Sequence, residues 1–504
     1  MVDYLSKRPM LLSAFAGCII CVLGLISKSM LLISGCLIIA FAAFAVIKKC
    51  KTVIFVVFVM LFALVISFLN CYKKTESIDK LSGREVTGEF IVVKPQKNYD
   101  DFCSTVVEVS LCEGLDNSLK IFTFYDYENL NCGDRINAKI KLQSIKNSEY
   151  KLNNYSESIY IMGNMTDISV KNGEEERVLK GIENIKKYIT STLFSNLGYR
   201  EASTLTALIH GDNSYMTDEF NTLVKYAGVS HVMVVSGMHL TIIVAFFLSV
   251  SRKFFYNRYF KALIIFLTVV FMTSLCGFSK SILRAGVTYI LSAFSIILNR
   301  GNNSENTLGT AVLLISIQNP FTVFNIGFQL SVLSTFGILV VAAPIIEVIK
   351  YNKIFKTSFG FWFASSVIIS LSALILTLPV TIYVFGYVST VALITNILIG
   401  EAVTVALSVS VLGLILNLIL PLPSKAVFAI AGAVTRYINS VIELLGSANY
   451  AVLPLGKFAA YFAIALIIAV LSFLLACKKK NDMLKLYKVN KKIKQEGGGK
   501  LKWQ

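Results

Sequence analysis

The 504-residue chain has three histidines, His210, His231 and His239, and all fall within one 30-residue stretch together with Gly211, Asp212, Ser230, Ser236 and Gly237. Histidine and aspartate are metal ligands, so a metal site is one reading of this stretch. His231 and His239 are two helical turns apart, however, whereas a helical zinc pair sits at i and i+4. A Ser236–His nucleophile and base is a second reading, but no G-x-S-x-G elbow surrounds Ser236. In a third, Ser236–Gly237 breaks a helix and the imidazoles hydrogen-bond the backbone groups so freed, beside a cavity. Ionisable groups at a membrane segment are expensive and mark function. The sequence assigns them no catalytic role and no metal, and implies no cofactor.

A second constellation is Cys276–Gly277–Phe278–Ser279–Lys280–Ser281, followed by Arg284–Ala285–Gly286, between two apolar stretches. Arg284 falls about one turn inside its helix, where a charge needs a partner or water. Facing a polar cavity, its planar fork would suit a phosphate; near the interface it would snorkel. Two more constellations combine helix breakers with amides: Asn319–Pro320 with Asn325–Ser331, and Leu378–Pro379–Val380 with Phe385–Ser389 and Asn396. Interrupted helices line aqueous paths in transporters, and they also occur as kinks in packed bundles. Lys280, Arg284, Ser279, Ser281, Gln329 and Asn396 are the resulting candidates for a polar path. The sequence has no G-x-x-x-x-G-K-[ST] phosphate loop and no H-E-x-x-H, and no dense Asp/His cluster of the kind a two-metal nuclease uses.

The scaffold for these groups is set by composition. Only 15% of residues are charged and 55% are hydrophobic, with mean hydropathy +0.68, where a soluble domain carries about 25% charged residues. Met10–Ile26, Met30–Ile47, Thr52–Leu69 and residues 458–477 approach or reach the roughly 20 apolar residues that span a bilayer. Met10–Ile26 has the length of a signal-peptide core, but two further spans follow at once without a cleavage site leading into a polar chain. Residues 1–72 therefore read as three membrane helices. Residues 229–477 read as a second bundle, with spans near 230–250, 261–277, 281–299, 306–319, 326–349, 359–378, 382–400, 402–420 and 457–477, and 426–446 ambiguous. No long internal repeat is visible. Lys7, Arg8, Lys48, Lys49 and Lys51, the basic loops 252–261 and 350–356, and the tail 478–504 with ten lysines against two acids put both termini in the cytoplasm. Lys73 and Lys74 run against this orientation.

Residues 75–173 are polar and net acidic. Five strand-like segments, Arg84–Val93, Phe102–Leu111, Leu119–Tyr125, Arg135–Ile145 and Ser158–Val170, are rich in Val, Ile, Phe and Thr and are divided by turn residues. They suit a small OB-like β-barrel inserted on the outer side of the membrane. Phe122, Phe124, Tyr125 and Tyr127 are either base-stacking aromatics or ordinary barrel residues. Cys103, Cys112 and Cys132 leave a disulfide there open, while Cys18 and Cys21 read as a packing pair in a membrane helix. Residues 174–228 form interfacial helices. One opens at Glu174–Glu176 and repeats Val178, Ile182, Ile185, Ile189 and Leu193 on one face; a second starts at Thr217 as N-cap and ends at Gly228. The fold class is thus a polytopic α-helical membrane protein with an inserted β-barrel domain.

The ordered segments resemble the ComEC-type competence proteins. Ala207-Leu-Ile-His-Gly-Asp212, Gly228-Val-Ser-His231 with Val235-Ser-Gly-Met-His239, Gly277-Phe-Ser-Lys-Ser281 with Arg284-Ala285, Gly327-Phe-Gln-Leu-Ser331, and Phe385-Gly-Tyr with Thr395-Asn396 occur in that family's order. The resemblance runs from residue 1 to about 477. It implies a membrane channel that imports single-stranded DNA during natural transformation, working with an external DNA receptor and a cytoplasmic helicase-type motor. Many members continue into a metallo-β-lactamase-like domain; no HxHxDH-like motif occurs among three histidines, so a separate nuclease is expected. Set against this reading are an intramembrane metal-dependent hydrolase using His210, Asp212, His231 and His239, and a transporter of another solute.

Overall fold

The computed structural model describes residues 8–26 and 51–465, except 99–101, 113–114, 127–129, 147, 149–150, 172–176, 252–256, 300, 302 and 351–356. The expected span Met30–Ile47, Tyr127, Glu174–Glu176, most of the last apolar stretch and the lysine-rich tail lie outside the described residues. The first and third apolar stretches form α1 (Pro9–Ile26) and α2 (Lys51–Asp79). α2 does not stop where its apolar run ends. It carries on to Asp79, burying Ile78 in the core of the β domain, where Asp79 accepts from the Ser144 hydroxyl and pairs with Lys146. Helix α2 thus runs without a break into the β domain.

Alternating apolar residues then build β1 (Glu85–Val92), β2 (Cys103–Cys112), β3 (Lys120–Tyr125), β4 (Arg135–Ser144) and β5 (Ile159–Val170), each within a residue or two of its expected bounds. β1 pairs with β2 and β4, β2 with β3, β3 in parallel with β5, and β5 with β4. The order 1-2-3-5-4 closes on itself as an OB-like barrel, with the short helix α3 (Lys151–Ser156) ahead of the last strand. Phe90, Val107, Ile121, Ile136, Ile140 and Ile161 fill its interior. Among the described residues no disulfide joins Cys103, Cys112 and Cys132. Cys103 and Cys112 end one ten-residue strand and stand about 30 Å apart, while Cys132 donates to Val93 O at 3.1 Å.

The linking helices are α4 (Arg177–Asn196), α5 (Tyr199–His210), α6 (Asp218–Tyr226) and the single turn α7 (Ser230–Met233). On α4 only the C-terminal part of the expected apolar face is covered: Ile189 and Leu193 are buried, Val178 and Ile185 exposed. Thr217 caps α6 as its residue type predicts, accepting from Phe220 N at 3.3 Å.

The bundle follows as α8 (Gly237–Ser251), α9 (Arg258–Leu275), α10 (Lys280–Ile297), α11 (Ser304–Gln318), α12 (Ile326–Gly337), α13 (Ala343–Lys350), α14 (Ser358–Phe385), α15 (Ala392–Ile419) and α16 (Pro421–Gly446). Six of its helices among the described residues are long and apolar enough to cross a membrane, α12 and α13 counting as one through a π-helical turn at Ile338–Ala342. Large apolar side chains stand exposed on them, among them Leu267, Phe359, Ile419 and Leu422, as a surface that meets lipid requires. The polytopic helical fold with an inserted small barrel is therefore what the chain adopts.

Two long helices, α14 and α15, replace the three spans expected across 359–420. Pro379 does not break α14. Around it Thr377 donates to Ala373 O and Leu374 O, and Thr381 to Thr377 O, the kind of hydroxyl support that lets a membrane helix tolerate proline. The break falls at Gly386, whose φ of +75° caps the helix; Tyr387–Ser389 then pairs with Val452–Pro454.

Candidate functional site

The helix start at Ser236 is built by a reciprocal pair. The Ser236 hydroxyl accepts from Met238 N at 3.2 Å, and His239 Nδ1 accepts from Ser236 N at 2.9 Å. This is a capping box with histidine where Glu or Gln usually stands. Because Nδ1 accepts, the neutral ring carries its proton on Nε2. His239 is wholly buried, and its Nε2 has no protein partner.

The glycine beside Ser236 lets α8 press onto α10. A Cβ at Gly237 would lie 3.0 Å from Ala285 Cβ and 3.0 Å from Arg284 Nη2. Arg284 itself is buried, at 7% exposure. It donates through Nε at 3.2 Å and Nη2 at 2.8 Å to the Ser331 hydroxyl, to which Ser281 also donates at 3.0 Å. Among the described residues no carboxylate pairs with Arg284. A group that stays charged in any protein is thus held inside the bundle by neutral hydroxyls. One turn earlier, Ser279 Oγ is buried without a partner. Lys280 is half-buried, and Glu157, Lys120 and Lys94 of the barrel stand close enough to act on its charge.

Four of the sequence constellations thereby meet. Gly211 packs on Val235, 3.1 Å from where its Cβ would reach. Gly228, at φ +75°, lies against Ala392 and Ser389, and Ser389 donates to Tyr226 O at 2.7 Å. The histidine-bearing stretch is clamped between α10 on one side and the α14–α15 connection on the other.

Other candidates fall elsewhere. His210 Nε2 is 3.2 Å from Thr190 Oγ1; burial drives its pKa down to about 4, against the opposing pull of Asp212. The Asp212 carboxylate is taken by Ser214 N at 3.0 Å and Ser214 Oγ at 2.6 Å. His231 is exposed on the single turn α7, near His239. Among the described residues no three His, Cys, Asp or Glu side chains gather where one metal ion would sit. Gln329 donates to Val323 O at 2.9 Å, bracing the turn before its own helix. Asn396 is half-buried on α15 and its side chain bonds none of these groups. A cavity of about 250 Å³ lies apart from them, walled by Arg200, Thr217, Glu219, Phe220, Leu223 and Glu443.

The Asn319–Asn325 constellation does something its breakers and amides did not announce. Asn319 Nδ2 donates to Tyr155 O at 2.8 Å, Ser156 O at 3.1 Å and Ser158 Oγ at 3.2 Å. Asn325 Nδ2 donates to Asn153 Oδ1 at 2.9 Å and Ser156 Oγ at 3.2 Å. Between them Phe321 enters the barrel's own core, 5.2 Å from the Tyr155 ring. The interruption is a clasp that docks the barrel on the bundle.

A helical membrane bundle with an OB-like barrel clasped to it, and a buried arginine held by hydroxyls near the junction, defines the class. The family model for "Competence protein" matches residues 208–480, more than half of the chain, so the chain belongs to the competence protein family. It is 26% identical over 248 residues to "ComE operon protein 3" of Bacillus subtilis (strain 168), covering 48% of this chain and 30% of that protein. It is 27% identical over 182 residues to "Uncharacterized protein MG316 homolog" of Mycoplasma pneumoniae (strain ATCC 29342 / M129 / Subtype 1), covering 35% of this chain and 43% of that one. The chain thus spans less than half the length of either relative. No solved structure matches it.

Proposed function

We propose that the chain is a membrane conduit that passes single-stranded DNA into the cytoplasm during natural transformation. The observation that carries the reading is Arg284, a buried cation with no carboxylate partner among the described residues, at the meeting point of family motifs from four parts of the chain. A charge so placed is costly in a membrane and is kept for what it binds. A phosphodiester fits the guanidinium fork, and Lys280, Ser279 and Ser281 sit within a turn of it. Both termini lie in the cytoplasm and the barrel outside. The partners are an external DNA receptor, a cytoplasmic helicase-type motor and a separate nuclease, with lipid around the bundle.

The test is uptake of labelled DNA by a competent host deleted for its own channel gene and carrying this chain. The wild-type chain restores uptake, alone or with a separately expressed nuclease. Arg284→Gln lowers it roughly ten- to a hundredfold, the equivalent of one lost charge-assisted hydrogen bond of about 1.5–3 kcal/mol. Uptake unchanged by Arg284→Gln, with the protein present in the membrane, removes Arg284 from the mechanism. No uptake by the wild type in either setting removes the conduit.

A further inference from the structure

Where the barrel meets the bundle, a carboxylate–lysine pair stands near further lysines of the barrel and the bundle. Glu157 follows α3 in the turn that the clasp holds, next to Ser158, whose φ is +63°. Its carboxylate pairs with Lys94, which follows β1. Lys120 opens β3, opposite Ile159 of β5, and Lys280 opens α10, within electrostatic reach of Glu157, Lys120 and Lys94. Glu108 stands across from Lys120 on β2. With Arg284 one turn below Lys280, four cations share the junction with two carboxylates. The Lys94–Glu157 pair remains reachable by solvent, with side chains 44% and 31% exposed.

We propose that Glu157 is a resident stand-in for phosphate: its carboxylate holds Lys94 in place, with Lys280 nearby, until a phosphodiester of a nucleic acid strand displaces it. This rests on the conduit reading above and names the step by which the strand is handed from barrel to bundle. The displacement is an exchange of one anion for another on the Lys94 ammonium, so Lys94 is paired before and after it. The barrel cannot itself be the passage, because side chains fill its interior and Phe321 closes its end. The strand therefore runs along its outside. There Lys120, Phe122 and Phe124 lie on one face of β3 by their spacing of two, and Phe122 and Phe102 both pack edge-on against Phe124 at 5.0 and 5.6 Å. Phe102 is 38% exposed. Aromatic rings beside ammonium groups suit bases and phosphates together, which favours nucleic acid over a lipid headgroup.

The experiment measures binding of a fluorescent single-stranded oligonucleotide to the full chain in nanodiscs of zwitterionic lipid, over a range of salt. The wild type binds with a slope of log affinity against log salt to which each contacted phosphate contributes about −0.7. Lys280→Gln and Lys94→Gln each flatten the slope by about that amount. Glu157→Gln tightens binding roughly two- to fivefold at low salt, because the incoming phosphate no longer breaks an exposed ion pair. Unchanged slopes in both lysine variants, or weaker binding in a Glu157→Gln protein that is monodisperse, overturn the assignment while leaving the conduit standing. Should Glu157→Gln fail to fold, the lysine slopes alone decide. A wild type that binds no oligonucleotide takes the conduit reading down with it. Repeating the series with phosphatidylglycerol in the discs identifies the anion: co-purified phosphatidylglycerol that depends on Lys94 and Lys280, with no dependence of oligonucleotide binding on them, assigns the site to lipid and overturns the proposal.

Discussion

Replacing Arg284 by methionine asks whether the guanidinium is kept for structure or for a ligand. The substitution preserves an unbranched stem of similar reach in a packed site. It deletes the donations of Nε and Nη2 to the Ser331 hydroxyl, a shared charge-assisted contact of about 1.5–3 kcal/mol. It also removes the burial of an ion that has no counter-charge among the described residues, a penalty of several kcal/mol by the usual measure of ions taken out of water. Ser331 is not orphaned, since Ser281 still donates to it at 3.0 Å. The balance puts Arg284→Met between neutral and about 3 kcal/mol more stable than the wild type. The assay is equilibrium unfolding in mixed micelles titrated with a denaturing detergent, read by the loss of helical circular dichroism. Stability maintained or raised, together with lost DNA uptake, is the signature of a residue retained for function against stability. Destabilisation by more than about 2 kcal/mol, the scale of a broken buried pair, refutes the reasoning, because it means that Arg284 has a compensating anion within the fold.

Asn319→Ala should loosen the barrel from the bundle, leaving Ser156 O without its donor while Tyr155 O keeps that of Ser158 N, at a cost of about 1–3 kcal/mol. Hydrogen exchange around Ser156–Ser158 and Phe321 should rise while the barrel core stays protected; unchanged exchange would show that the amides do not hold the joint. At the start of α8, His239→Gln keeps an acceptor at the third helical position and should be nearly neutral, whereas His239→Leu should lose about 1 kcal/mol. Equal losses in the two variants would mean that the ring acts through its orphaned Nε2 instead. His210 gives a pH signature. Its folded pKa of about 4 lies below the ordinary 6.5, so below pH 6.5 the unfolded chain binds a proton that the fold excludes. Stability from this residue is intact above pH 6.5 and is lost progressively down to pH 4, by up to about 3 kcal/mol. A His210→Gln protein should lack that part of the pH dependence, and superimposable profiles for the two proteins would contradict the burial argument.

Much of this architecture is legible in the sequence because local chemistry decides it. The five strands fall close to their expected bounds since alternation and turn residues set both ends, and Thr217 caps α6 because its hydroxyl can serve an amide three residues on. Where local and tertiary preferences compete, the sequence misleads. Pro379 looks like a breaker, yet in a membrane helix the surrounding turns must keep their backbone bonded, and Thr377 and Thr381 supply the support. The break moved to Gly386, where a left-handed residue is required. The site is legible as a set of residues but not as an arrangement. Nothing periodic links Asn319 to a carbonyl 164 positions earlier, or Arg284 to a serine 47 positions later. The expectation that Gln329 and Asn396 share the polar path followed from residue type alone; Gln329 is spent on Val323 O. Lys94, Lys120 and Glu157 gave no signal, because each is an ordinary charged residue until the barrel folds and docks.

The clasp and the charge cluster are two uses of one turn, and this constrains how the junction can work. Asn319 grips Ser158, the residue next to Glu157, and Asn325 grips the helix just before it. Glu157 therefore cannot swing away as a free side chain on a mobile loop; its backbone is fixed to the bundle while its carboxylate reaches Lys94 of the barrel. Exchange with a phosphate must then proceed by side-chain rotation alone, which needs no separation of barrel from bundle. An ion pair at an exposed edge is worth only about 0.2–1 kcal/mol, small beside a charge-assisted contact to phosphate of about 1.5–3 kcal/mol. On the proposed reading, a rigid joint carrying a weak, replaceable counter-ion would keep Lys94 positioned in the absence of ligand without competing seriously with an arriving strand, as a passage for a polyanion would require.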